Sequence, residues 1–344
     1  MNITTIGFDI AKNVFQVHGA NERGKPGLDR RLKRGQVLEF FAQQNPCLVG
    51  IEACGGAHHW ARKLASFGHT VKLMAPQFVK PYVKSNKNDS ADAAAICEAV
   101  RRPTMRFVPI KNVEQQAILS VHRARQGFIT ARTAVVNEMR GLLIEFGIVI
   151  PQGIRNVAPH LAGILEDAAN DLPTLFRSLL HRLSEHYKEL DRQVLELEHE
   201  IKIWHRESEN SRKIAEIPGI GPLTASALVA SISDAREFKS GRQMAAWLGL
   251  VPRQNSSGGK EKLLGISKRG DSYLRMLLIH GARAVLRHLG EKKDATSLWL
   301  RELSKRRHPN VVTVALANKN ARIVWALLVR GTRFEARAGS LAVA

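Results

Sequence analysis

Four carboxylates stand where acids are expensive. Asp9 closes the apolar run ITTIGFDI (3–10), and Glu52 closes CLVGIE (47–52) in the same way. A charge at the end of a buried strand is costly unless it is paired or bound to a cation. Asp89 and Asp92 stand three apart in NDSADAAAI, which puts both on one face of a helix. Two strand ends and one helix face can converge on a single cleft. Hard oxygen ligands of this kind select Mg²⁺ or Mn²⁺. Two such ions about 4 Å apart would clamp a phosphate and stabilise its attacking and leaving oxygens. Each acid also has an ordinary use. Asp89 can be a helix N-cap with Asp92 in its first turn, Asp9 can cap the turn after its strand, and Glu52 can pair with a buried base. His58 and His59 follow Glu52 without a partner at zinc spacing and read as solvated or helix-start residues.

Two later segments carry further chemistry. In IPGIGPLTA (217–225), Gly219 and Gly221 flank one residue between two helical stretches. Such a hairpin exposes backbone N–H groups that can hold a phosphate, as in a helix-hairpin-helix element, or it is simply a helix turn. SSGGK (256–260) reads as a flexible loop bearing two hydroxyls, Ser256 and Ser257. Arg253, Lys260, Lys262, Lys268, Arg269 and Arg275 surround it, cations suited to nucleic-acid phosphates. By composition alone the loop is a Gly/Ser linker.

The elements that must position these residues follow from periodicity. Residues 1–110 predict a mixed α/β sheet: strands at 3–10, 14–20, 28–32, 47–52 and 69–74, and helices at 36–44, 57–67 and 90–101. Residues 112–147 form one long helical pattern, with Arg125 and Arg132 at two seam positions. From Phe176 to Trp204, apolar residues step by four and three over four heptads. That narrow stripe predicts a coiled-coil arm roughly 40 Å long that joins subunits into a dimer or tetramer. The other reading is two helices of the chain's own bundle. Three regions result: 1–110, a helical coiled-coil and oligomerisation region at 111–212, and a mainly α C-terminal domain at 213–344. The end beyond about Phe334 is expected to fray.

The 344 residues carry a formal charge of +21, of which +15 falls in residues 235–344. The pI is about 10.4. A charge of this size disfavours an enzyme of small neutral ligands and favours a polyanionic partner. Aromatics make up only 6%, which weighs against a single-strand reader that works by stacking. Cys47, Cys54 and Cys97 lack metal spacing and read as free thiols. The sequence shows no signal peptide and no apolar run of membrane-span length, so a soluble cytoplasmic protein with no membrane partner is expected.

The acids in this order resemble the DEDD tetrad of ribonuclease-H-like, RuvC-type domains. GFDIAKN (7–13), GIEACGG (50–56), KNDSADA (87–93), IPGIGPLTA, WLGLVPRQNSSGGK (247–260) and ISKRGDSYLR (266–275) together resemble the DEDD transposases of bacterial insertion sequences, family 110 and its 1111 subgroup. Cys54 stands where that family more often has a hydroxyl. The resemblance implies a RuvC-like domain holding Mg²⁺ on Asp9, Glu52, Asp89 and Asp92, and a serine nucleophile at Ser257, with Ser256 adjacent. It also implies a structured bridge RNA pairing with target and donor DNA, and a bacterial, nucleoid-associated protein. A RuvC-type nuclease or junction resolvase using water, and a non-catalytic nucleic-acid-binding protein, are the alternatives.

Overall fold

The computed structural model describes residues 2–84 and 88–335. Lys87 of KNDSADA and the chain beyond Glu335, where fraying was expected, lie outside these residues. The chain divides into two compact units. The first comprises residues 1–115 with 232–234, and the second 116–231 with 235–344.

The first unit is built on β1 (Thr5–Asp9), β2 (Val14–Ala20), β3 (Pro26–Lys33), β4 (Leu48–Glu52), β5 (Thr70–Met74) and β6 (Phe107–Val108). Their order across the sheet is β3-β2-β1-β4-β5-β6. β1, β4 and β5 are parallel, while β2, β3 and β6 run antiparallel to their neighbours. This is the mixed sheet that the sequence predicts, and it is consistent with a RuvC-like domain. Alternate residues of β1 and β4 (Ile6, Phe8, Val49, Ile51) point to one face and are buried there. On that face α1 (Val37–Ala42) and α2 (Ala57–Ala65) contribute Phe40, Phe41, Trp60 and Leu64. Phe8 lies within 5.5 Å of both the Phe15 and Phe41 rings, centroid to centroid. After a short helix α3 (Pro76–Val79), α4 (Asp89–Val100) packs on the opposite face. Alanines and glycines make that approach close.

In the second unit α5 (Val113–Ile144) and α7 (Thr174–Glu207) are long helices, with α6 (Val157–Glu166) between them in sequence. Much of the four-three seam is covered within the chain. Phe176, Leu180, Tyr187 and Leu190 are buried against Val135, Met139 and Leu143 of α5 and Val157 and Leu161 of α6. Further along, Ile201 meets Ile118 and Ala230. Within the chain, its own helices bury most of the stripe, the arrangement of the second reading. The arginines in the seam of α5 explain how it tolerates charge: Arg125 pairs with Glu198 and Arg132 with Asp191, both on α7.

The remaining helices are α8 (Glu209–Ala215), α9 (Pro222–Ser231), α10 (Gly241–Trp247), α11 (Ser272–Arg287), α12 (Ala295–Arg306) and α13 (Pro309–Arg330). A hairpin of β7 (Pro252–Gln254) and β8 (Leu263–Ile266) lies between α10 and α11. A buried polar tether joins α5, α9 and α11. The Ser226 hydroxyl donates to the Pro222 carbonyl at 2.7 Å, so it accepts from His122 Nε2 at 3.0 Å. His122 Nδ1 then accepts from the Tyr273 hydroxyl at 2.9 Å. Burial, then the Arg125 charge, pull His122 down to about 4, which keeps it neutral. Contrary to the sequence expectation, α13 is long and apolar enough by composition to cross a membrane. It carries Lys319, buried Asn320 and Arg322, and Asn320 donates to the Pro218 carbonyl at 2.9 Å. Val312, Leu316, Ala317 and Val324 are buried inside the unit, as in the core helix of a globular protein.

Candidate active site

Asp9 and Glu52 are the last residues of adjacent parallel strands, one step beyond the Phe8–Ile51 pair. What brings α4 to them is a glycine shelf. Gly7 and Gly50 are register partners on the same face. A Cβ on Gly7 would stand 2.0 Å from the Ala93 carbonyl oxygen, and one on Gly50 would stand 2.8 Å from Val100 Cβ. The helix therefore lies directly on the strand backbones. Its N-cap is Asn88, whose side chain accepts the Ala91 N–H at 2.7 Å. The capping role open to Asp89 thus belongs to its neighbour, and Asp89 and Asp92 stand in the first turn.

The electrostatics tie the four acids together. Asp9 is pushed up to about 6, first by burial and then by the charges of Asp92, Asp89 and Glu52. The same field reaches Cys54, whose thiol is raised by burial and then by Glu52 and Asp9. Among the described residues, no three His, Cys, Asp or Glu side chains are gathered closely enough to hold a metal ion. The acids share a field without forming a closed ligand shell. The donor chemistry fits a hard divalent cation: clustered carboxylates repel, and a cation relieves that repulsion. His58, further along the chain, is held by a backbone contact. It accepts the Lys111 N–H at 3.2 Å.

The serine segment is more ordered than a linker. The Lys260 N–H donates to the Ser257 carbonyl at 3.0 Å, with Gly258 at φ 56° and Gly259 at φ 76° between them. Two successive positive φ values make a type I′ turn, the tight reversal that twisted strands favour. Ser257 is thus an exposed residue at the tip of a hairpin. Ser256 Oγ is engaged, accepting the Lys262 N–H at 3.3 Å. Arg253, Lys260 and Lys262 are exposed on the same hairpin.

The hairpin's base is fixed by backbone packing. A Cβ on Gly249 would meet the Arg269 carbonyl at 2.1 Å, and one on Gly270 would meet the Trp247 carbonyl at 2.0 Å. Lys268 adopts φ 54°, and its N–H donates to the Gly249 carbonyl at 3.2 Å. Arg275, grouped with the basic surface by sequence, turns inward. Its guanidinium donates to the carbonyls of Leu248, Arg269 and Asp271 at 3.2–3.5 Å. Lys268 and Arg269 are exposed. In the IPGIGP turn, Gly219 and Gly281 are in backbone contact: a Cβ on Gly281 would stand 1.8 Å from the Gly219 carbonyl. Gly219 therefore serves packing against α11, while Gly221 faces open space. Gly7, Gly50, Gly281 and Asn88 escaped the sequence reading. The glycines had a signal, since Gly7 and Gly50 sit two residues before each strand-end acid.

Comparison with known proteins adds a second line. The family described as "Transposase IS116/IS110/IS902 family" matches residues 211–297. A second, the DEDD transposase family of the IS110 type, matches residues 6–148. A "Probable family 20 transposase" of Pseudomonas aeruginosa is 53% identical, covering 96% of this chain and 98% of its own. The "Transposase for insertion sequence element IS1111A" of Coxiella burnetii is 47% identical over 96% of this chain and 90% of its own. That for IS1328 of Yersinia enterocolitica is 44% identical over 97% and 99%.

Proposed function

Because the chain belongs to the IS116/IS110/IS902 family of DEDD transposases, we propose that it is the transposase of an insertion sequence, cutting and rejoining DNA with a carboxylate-held divalent cation and a serine nucleophile. Asp9, Glu52, Asp89 and Asp92 hold the cation. The observation that carries the reading is at Asp9, which ends its strand beside Glu52 and is raised first by burial and then by the charges of the other three acids. When bound, Mg²⁺ or Mn²⁺ supplies charge stabilisation at the phosphate.

Ser257 supplies the attacking oxygen. Its Oγ forms a phosphoester to phosphorus, the bond to the leaving sugar oxygen breaks, and that sugar takes up the proton. Attack by another strand's hydroxyl reverses the step and frees the serine. The hairpin tip suits this role because an exposed hydroxyl can reach a bound strand, and its Arg and Lys neighbours favour phosphate charge. Gly221 and the exposed cations of the hairpin and of the 268–269 loop hold the nucleic-acid backbone. A structured guide RNA and an oligomer of this chain complete the active complex, and membership of the 1111 subgroup accords with the Coxiella relative.

The test is covalent capture. Ser257→Ala should keep DNA and RNA binding and lose both cleavage and the denaturant-resistant protein–DNA band. Ser256→Ala should be milder. Normal cleavage by Ser257→Ala would make water or Ser256 the nucleophile and put the metal-dependent nuclease first. RNA that co-purifies with the protein, once sequenced, should contain stretches complementary to donor and target.

A further inference from the structure

Nearly all the excess charge lies in two segments. The last third holds +15 of the +21, and residues 23–34, RGKPGLDRRLKR, hold another +5. The second segment is the edge of the sheet in the first unit: the turn before β3, the whole of β3 and the residue after it. Its cations divide by face. Arg30 lies 5.7 Å over the Phe40 ring and Arg34 lies 5.3 Å over the Trp60 ring, on the side of α1 and α2. Arg31 and Lys33 alternate with Arg30 and Leu32, so they belong to the other face.

That other face is the one carrying the acids. Asp9 pairs with Gln16 across β1 and β2, and Gln16 pairs with Arg31 across β2 and β3. Directly paired residues share a face, so Arg31, Gln16 and Asp9 form one row across three strands. Two strand spacings put the Arg31 backbone about 10 Å from that of Asp9. Lys33 pairs with Val14, two residues further along the same face. Both cations are exposed.

Their natural local partner is already taken. Asp29 lies two residues before Arg31 on its face. Its carboxylate accepts from the Gln16 amide and from the Ser90 hydroxyl, the latter at 2.6 Å. Asp29 therefore ties the first turn of α4 to the sheet and leaves the cations alone. Among the described residues neither Arg31 nor Lys33 has an ion pair. Arg31, in the row of Asp9, and Lys33, two residues along, thus form no ion pair with those carboxylates. They suit a polyanion whose phosphates pass beside the acids.

We propose that Arg31 and Lys33 form a phosphate-binding track, along which the backbone of a nucleic-acid strand runs across β3 and β2 to the acids at the end of β1. This rests on the reading of those acids as the place of strand cleavage. The chemistry recognised is the phosphodiester, which DNA and RNA share.

The experiment compares Arg31→Gln/Lys33→Gln with Arg30→Gln/Arg34→Gln, equal losses of charge on opposite faces of one edge. Affinity is measured against salt in EDTA, for a duplex DNA and an RNA duplex of the same sequence, after melting curves confirm folding. The track variant should lower the slope of log affinity against log salt by about 1.8 on duplex DNA, two phosphates at about 0.9 each. The ring-stacked variant should leave it nearly unchanged. Whichever duplex shows the loss is the one the track holds. Equal losses in both variants, or none in the track variant on either duplex, would overturn the proposal. Because EDTA prevents metal-dependent cleavage, this outcome is separate from that of the Ser257 test.

Discussion

Asp9 carries a cost in stability that one substitution exposes. Its folded value, about 6, lies above its ordinary 3.8, so the folded state binds the proton more tightly than the unfolded chain. Stability is therefore lost as pH rises from about 4 to about 6, and the cost is full above that. Asp9→Asn removes the charge at the centre of the repulsion. It should abolish cleavage while raising the melting temperature at pH 8, by roughly 2–4 °C per kcal/mol relieved. At pH 5 the wild-type carboxyl is already mostly protonated, and the gain should shrink. Mg²⁺ should stabilise the wild type at pH 8 more than the variant, measured by calorimetry. An unchanged melting point at pH 8, with or without Mg²⁺, would remove Asp9 from any shared acid site. At this scale the acids were legible because a carboxylate ending an apolar run has few cheap explanations. Asn88 was not, because Asn and Asp cap helices about equally well and only geometry chooses between neighbours. Arg275 was not either: a surface arginine and one satisfying three carbonyls look alike in sequence.

The elements matter here as supports, and the glycine shelf under α4 is the sharpest case. Gly7→Ala puts a methyl 2.0 Å from the Ala93 carbonyl, a contact that only a shift of helix or strand can relieve. We expect a large loss of stability and of cleavage. Gly55→Ala, where a Cβ meets nothing within 4 Å, should be close to neutral. If both variants melt and cut alike, the shelf does not position the acids. The seam of α7 gives a second prediction. Leu190 is 6% exposed and packs in the core shared with α5 and α6. Leu190→Ala should cost about 2–5 kcal/mol in denaturant unfolding and leave the mass by light scattering unchanged. A fall in mass without loss of stability would restore the intermolecular seam. Strands β2 and β4 were read from sequence to within a residue, since period-two burial leaves a direct trace. The partner of the four-three stripe was not readable, because a heptad pattern specifies that a helix is needed and not whose it is. Likewise Ser-Ser-Gly-Gly suggested a slack loop, whereas consecutive positive-φ glycines are what a type I′ hairpin requires.

For the whole molecule, charge is the property most visible in the sequence, and its distribution says more than its sum. Outside residues 23–34 and 235–344 the chain is nearly neutral, with a net charge of +1. The two basic segments belong to different compact units, one bearing the acids and the other the serine hairpin. A protein that only needed solubility would gain nothing from such segregation. A protein that grips a polyanion with both units would gain affinity from each. Exposed Lys268 and Arg269 represent the second unit in a test. Lys268→Gly suits its left-handed backbone while removing the charge, and Arg269→Gln removes the neighbouring one. This pair should reduce the salt slope on duplex DNA by about 1.8, as should the Arg31 and Lys33 pair. If both units hold one nucleic acid at once, the fourfold variant should lose about 3.6, because counterion release counts phosphates neutralised in a single complex. Binding by either unit alone gives a different result. The stronger site would then set the slope, and the fourfold variant would lose no more than the pair in that unit. Additive slopes are the outcome expected of a protein whose two units hold one nucleic acid together.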